Sequence, residues 1–144
     1  MGVRSLEKAF IDSNILIYAH DTDEERKHPI ARQLLIELFE SRAGVLSPQV
    51  LQEFYVNVTR KIAKPLPKNA AREIVEDFSV LCINTTPADI NVAFRIEDEA
   101  RVSFWDALIC AAAVKAGAKV IFSEDLNAGQ TVSGIRIENP FLIR

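Results

Sequence analysis

The sequence predicts an α/β fold with a mainly parallel central sheet, and three features carry that prediction. Short apolar runs recur at 8–11 (KAFI), 43–46 (AGVL), 80–84 (VLCIN), 119–123 (KVIFS) and 134–139 (GIRIEN), each a fitting length for a buried strand. Segments of helical periodicity lie between them. Those segments carry chemical start and stop signals. Strand and helix in alternation place helices on both faces of a parallel sheet, a three-layer α/β/α arrangement.

Each element has its own justification. The run at 8–11 reads as a strand, and a short helix follows at 14–19. Residues 25–41 are expected to be helical because Ile30, Leu34, Leu35 and Leu38 fall on one stripe. After the strand at 43–46, Ser47-Pro48 supplies an N-cap and a proline suited to the first helical position. That helix carries Val50, Leu51, Phe54, Tyr55, Val58 and Ile62, and it ends before KPLPK, where two prolines forbid continuation. A helix at 68–79 and a strand at 80–84 come next. Thr86-Pro87-Ala88-Asp89 opens another helix with a cap and an acidic third position. Ser103 opens FWDALICAAAVKAG, which Gly117 closes. Strands at 119–123 and 134–139 complete the chain.

At 144 residues the chain has the size of one domain, so 1–144 is expected to fold as a single unit with its own core. Cys82 and Cys110 lie in apolar settings and have neither zinc-site spacing nor the numbers of a disulfide framework, which fits a reducing compartment. The longest apolar stretch, Phe104 to Val114, is too short to span a bilayer and contains Asp106. Residues 1–10 include Arg4, Glu7 and Lys8 and have no signal-peptide core. A cytoplasmic protein without a membrane segment is the expectation. The net charge of −3 argues against a general nucleic-acid coat protein, though not against a nuclease that holds carboxylates for metal.

Four acids stand at comparable places in this alternation. Asp12 follows the first strand, Glu53 lies on the helix after the second, Asp106 heads an apolar helix, and Asp125 follows the strand at 119–123. Each has a plain reading. Asp12 or Ser13 can cap the next helix, and Ser103-Phe104-Trp105-Asp106 fits a capping box. Glu53 lies off the apolar stripe, as a solvated acid would, and Asp125 sits in a polar loop of turn-forming residues. Taken together they suggest more, because ligands in parallel α/β sheets bind beyond the carboxyl ends of the strands. Converging carboxylates raise one another's pKa until a cation neutralises them, and oxygen-only ligands favour Mg2+ or Mn2+.

The segments FIDSNILIYAH, SPQVLQEF and SFWDALICAAAVKAGAKVIFSEDLN resemble the PIN-domain family, in particular VapC-type toxin ribonucleases of bacterial toxin–antitoxin pairs. The resemblance covers almost the whole chain in order. It implies a PIN-like sheet of about five strands and a metal-dependent ribonuclease acting by phosphodiester hydrolysis, with Mg2+ or Mn2+ as cofactor. It further implies an RNA substrate, a small antitoxin partner and a homodimer. Carried over by position, Asp12, Glu53, Asp106 and Asp125 form its acidic quartet, with Asp12 as the carboxylate shared between two ions. Asn14 and Ser123 would support water or a neighbouring carboxylate. Serine at 123 departs from the more usual threonine, and Glu124 makes the last acid ambiguous by one position, with Asp125 preferred.

Arg60, Lys61, Lys64 and Lys68 cluster with Arg72 around the proline turn, either as a solvated face or as a phosphate-contacting rim. Arg26, Lys27 and Arg32 form a second such group. Trp105 reads as core rather than as a base-stacking platform. His20 closes the first short helix, where a partly positive ring suits the helix dipole. Neither histidine accompanies a G-x-S-x-G nucleophile, and no G-x-x-x-x-G-K-[ST] loop exists. Two rivals to the ribonuclease remain. One is a non-catalytic PIN-like scaffold that binds RNA or protein. The other is a magnesium phosphatase with Asp12 as nucleophile, which would want an acid where Asn14 stands.

Overall fold

Ala9, Phe10 and Ile11 are all buried, and they form the strand on which the sheet is built (β1, Ala9–Ile11). A computed structural model describes residues 7–142. In it β1 runs parallel to β2 (Gly44–Val45) on one side and to β3 (Val120–Phe122) on the other. β3 pairs in parallel with β5 (Ile135–Glu138), and the short β4 (Thr131–Val132) closes the edge antiparallel to β5. The order is β2-β1-β3-β5-β4, a five-stranded, mostly parallel sheet flanked by helices. Strands covered on both faces have no solvent side, which is why β1 and β3 read as continuous apolar runs.

Helices α1 (Ser13–His20), α2 (Lys27–Glu40), α3 (Pro48–Arg60), α4 (Lys68–Phe78), α5 (Pro87–Ala100) and α6 (Phe104–Ala116) occupy the expected segments. The stripe of α3 buries Val50, Leu51, Phe54 and Val58, and Pro48 takes the first helical position. At the head of α5 the Asp89 carboxylate accepts the Thr86 N–H at 2.7 Å, the acidic half of a capping box. Ser103 Oγ accepts the Asp106 N–H at 3.1 Å, and Gly117 ends α6 in the left-handed region at φ 72°. Among the described residues no helix is long and apolar enough to cross a membrane.

Four expectations need correction. VLCIN forms no strand: Ser79–Leu81 is a 3-10 turn, and Cys82 makes only an isolated parallel bridge to Leu46. The chain turning there straight out of α4 leaves too little extended backbone for a ladder. β4 was missed because two residues give no alternation to read. The Ser133-Gly134 turn behind it, with φ of 49° and 80°, is nonetheless a recognisable hairpin signal. Ser47 precedes α3 without capping it through its side chain, and its Oγ is buried with no partner. His20 packs edge-on against Phe54 at 5.3 Å, and burial pushes its pKa below the ordinary value, so the neutral ring is favoured over the cation.

Gly117 gives a clean test of the α6 boundary. An added Cβ there meets nothing within 4 Å, so the only cost is the left-handed backbone. Gly117→Ala is expected to lower unfolding free energy by about 1 kcal/mol, seen as a lower urea midpoint with an unchanged slope.

Candidate functional site

The chain leaves β1 directly into Asp12, whose backbone N–H still bonds to the Phe122 carbonyl at 3.1 Å. Its carboxylate is therefore fixed where two parallel strands end, and it is only 5% exposed. Burial without compensation would be costly. Three donors supply the compensation: Ser13 N–H to Oδ1 at 2.7 Å, Ser123 Oγ to Oδ2 at 2.6 Å, and Asn14 Nδ2 to Oδ2 at 3.4 Å. Burial still dominates and, opposed by the Ser123 and Ser13 hydrogen bonds and reinforced by the charges of Glu53 and Asp125, lifts the pKa from 3.8 to about 6.

Asn14 joins the ends of the two strands. Its Nδ2 also donates to Asp125 Oδ2 at 3.2 Å, and its Oδ1 accepts the Glu124 N–H at 3.1 Å. Ser123, fully buried, uses its hydroxyl completely. It donates to Asp12 and accepts the N–H groups of Asp125 and Leu126 at 3.1 and 3.2 Å. A serine immediately after β3 thus fixes both the buried acid and the turn that presents Asp125.

Glu53 is half-buried on a second face of α3, turned toward the start of α1. Ser13 Oγ donates to its Oε2 at 2.8 Å, and Gln49 Nε2 to its Oε1 at 2.9 Å. Gln49 Nε2 also reaches the Trp105 carbonyl at 3.3 Å, linking α3 to the head of α6. Asp106 stands there, with its pKa raised by burial, opposed by the Ser103 hydroxyl, and raised further by the charges of Asp125 and Glu53. Glu53 and Asp125 thus act electrostatically on both Asp12 and Asp106. Sequence reading missed Gln49 and the hydroxyl of Ser13. Their signals were the four-residue spacing from Gln49 to Glu53 on one helix and the position of Ser13 beside Asp12.

Glu124 is engaged elsewhere. Its carboxylate accepts from Tyr18 Oη at 2.7 Å and pairs with Lys27 Nζ at 2.5 Å, a clamp between α1, α2 and the loop after β3. Lys27, first grouped with a basic rim, thus serves this clamp. Of the other basic candidates, Lys61 lines the same 490 Å3 cleft as Ser13, Asn14, Glu53 and Asp125. Lys64 pairs with Asp23, also on that cleft, at 3.3 Å. Arg60 and Lys68 are exposed and lie outside its lining. Trp105 is not core: it is 66% exposed.

Among the described residues, none of the four acids has a salt bridge, whereas Glu7, Asp23, Asp89, Glu124 and Glu138 all do. Carboxylates grouped without a cation, offering only oxygen donors, suit a hard divalent ion such as Mg2+ or Mn2+. Among the described residues no three acidic, histidine or cysteine side chains close into a ready chelating group.

A family model for the PIN domain matches residues 9–131. No curated protein matches the sequence. Among solved structures, the chain is similar to VapBC2 from Rickettsia felis, bound to a promoter DNA fragment, at 17% identity over 91% of this chain and 97% of that one, with a TM-score of 0.64. It is also similar to a toxin–antitoxin complex from Klebsiella pneumoniae, at 20% identity over 94% and 99%, with a TM-score of 0.67. A third is VapC20 of Mycobacterium tuberculosis, a sarcin–ricin loop cleaving toxin, at 22% identity over 81% and 91%, with a TM-score of 0.60. At such identities the likeness is one of fold.

Two outcomes follow from this geometry. Ser123→Ala leaves the Asp125 and Leu126 N–H groups and Asp12 Oδ2 each short of a partner, and should cost about 1–3 kcal/mol of stability in urea unfolding. Asp12 has a folded pKa near 6 against 3.8 ordinarily, so its protonation favours the folded state. The resulting stability is complete below 3.8 and is lost as pH rises through about 6. In metal-free protein, the stability of the wild type relative to Asp12→Asn should therefore fall by about 3 kcal/mol from the acid to the neutral end of that range, measured by urea unfolding at each pH.

Proposed function

The chain belongs to the PIN-domain family, and from that premise we propose that it is a divalent-metal-dependent ribonuclease, the toxin of a VapBC-type toxin–antitoxin pair. One observation carries the reading: Asp12 is buried at the strand ends, Asn14 bonds it to Asp125, Ser13 bonds it to Glu53, and none of these acids has a salt-bridge partner among the described residues. Likeness in fold to VapC-type toxins supports it.

On this reading Asp12, Glu53, Asp106 and Asp125 hold Mg2+ or Mn2+. When bound, such an ion lowers the pKa of a water and steadies charge on the leaving oxygen of a phosphodiester. The protein's own part is orientation. Ser123 and Ser13 N–H hold the Asp12 carboxylate at one angle, and Asn14 keeps Asp125 beside it. Ser13 and Gln49 grip the two oxygens of Glu53. Glu124 is excluded from ligation because Lys27 and Tyr18 occupy it, which leaves Asp125 as the acid of that loop. Lys61 is the best-positioned phosphate contact, with Lys64 beside it once free of Asp23, and Arg60 and Lys68 extend the rim. An antitoxin and a second copy of the chain are the proposed protein partners.

An aspartyl phosphatase is disfavoured. The second acid that such chemistry wants two residues on is Asn14 here, an amide engaged with Asp12, Asp125 and the Glu124 N–H. A non-catalytic RNA-binding scaffold is the second reading, favoured by the lack of three converged ligands among the described residues.

Asp12→Asn and Asp106→Asn are each expected to lower Mn2+-dependent cleavage of RNA at least a hundredfold while retaining a wild-type circular dichroism spectrum. Glu124→Gln, by contrast, should retain measurable turnover. Normal cleavage by either aspartate variant would overturn the shared site. Tight RNA binding by wild-type protein without metal-dependent turnover would favour the scaffold.

A further inference from the structure

A groove of about 400 Å3 runs beside the acidic site, walled by Ser47, Gln52, Thr85, Ile90, Trp105 and Leu108. Gln49 forms the ridge between the two, since it lines the groove and also donates to Glu53 and to the Trp105 carbonyl. The Trp105 ring is 66% exposed and rests edge-on against Phe104 at 5.4 Å. Phe104 in turn packs on Phe94 at 5.7 Å. A large aromatic side chain is thus presented to solvent, seated on Phe104, one residue from Asp106.

From this we propose that Trp105 and its groove form a nucleobase subsite, in which an unpaired base of the RNA stacks on the indole next to the phosphate to be cleaved. The proposal rests on the ribonuclease reading above and deepens it by assigning the substrate contact. Three observations favour a base over a phosphate or an apolar helix. The lining contains no lysine or arginine, and its single acid, Asp89, is paired with Lys115 at 2.9 Å, so the groove does not select charge. Its walls alternate apolar faces (Ile90, Leu108) with amide and hydroxyl groups (Gln52, Thr85), which suits a flat ring with hydrogen-bonding edges. Ser47 Oγ, on the same wall, is buried with no partner among the described residues and so has a hydrogen bond left to give. Proteins that take single-stranded RNA commonly place bases on aromatic faces in this way, tolerantly of sequence.

Trp105 is the only tryptophan in the chain, so its fluorescence reports on the groove without interference. The probe is a short single-stranded oligoribonucleotide of mixed sequence, titrated into the intact protein with Ca2+ in place of Mn2+ to hold back turnover. Emission is expected to quench as RNA binds, and a strand of equal length built of abasic residues should bind without quenching. In anisotropy measurements with labelled RNA, Trp105→Ala should weaken binding about tenfold and Trp105→Phe by much less. Metal-dependent cleavage by wild type, with emission unchanged by RNA and Trp105→Ala binding normally, would sink the subsite and leave the ribonuclease standing. Base-dependent quenching in a protein that never cleaves would keep the subsite and remove the ribonuclease. A blue-shifted emission that tracks protein concentration without RNA would assign the groove to a second copy of the chain and overturn the proposal.

Discussion

The carboxylate of Asp12 at the end of the central strand is the constraint on which the rest of the site depends. A charge placed there cannot be solvated, because β1 has parallel neighbours on both sides and both β1 and β3 are buried. Its stability must come from groups the fold carries to the same point. The Ser13 N–H arrives because α1 begins at once, and the Ser123 hydroxyl arrives because β3 ends in register with β1. These donors make the position tolerable but do not neutralise it. A pKa near 6 marks a carboxylate still short of positive charge.

That shortage organises the surroundings. Asn14 divides one amide nitrogen between Asp12 and Asp125, and spends its oxygen on the Glu124 N–H. Two neighbouring acids on one loop consequently have opposite fates. Asp125 is held toward the buried charge, while Glu124 is drawn away by Lys27 and Tyr18, with Tyr18 further seated edge-on against Phe141 at 5.2 Å. Glu124 and Asp125 leave this bent loop toward different partners, so an ion pair at one position steadies the orientation of the other. A strong ion pair next to a candidate ligand thus helps to keep that ligand available.

Much of this was legible in the sequence, for identifiable reasons. Caps, prolines and the apolar stripe of α2 located the helices within a few residues, because those signals are local chemistry. The buried strands were legible where they were long enough to form an apolar run. VLCIN failed because its apolar content serves a 3-10 turn and a single bridge at Leu46, a choice made by the tertiary packing around β2. Within the site, Asp12 and Asp125 showed themselves by their positions after strands and Asp106 by heading an apolar helix, while Glu53 was the weakest by pattern, since its helix uses two faces. Trp105 was misread because an aromatic residue at the start of an apolar helix looks like core. Its exposure follows from α6 burying Ala107, Ile109 and Cys110 on other faces. Gln49 went unnoticed because an amide on a helix has no distinguishing pattern until its partners are known.

The electrostatics of the cleft bear on the proposed chemistry as a whole. Besides Glu53 and Asp125, its lining includes Asp21, Glu24 and the Lys64-paired Asp23, against Lys61 as the one cation among its described lining residues. A polyanion gains little by approaching such a surface unaided, because like charges repel. On the ribonuclease reading, positive charge is therefore needed before RNA can settle at all, not only when a bond breaks. Affinity for RNA and catalysis would then share one dependence on divalent cation. The uncharged groove beyond Gln49 would be where the substrate gains contact energy that the acids cannot give.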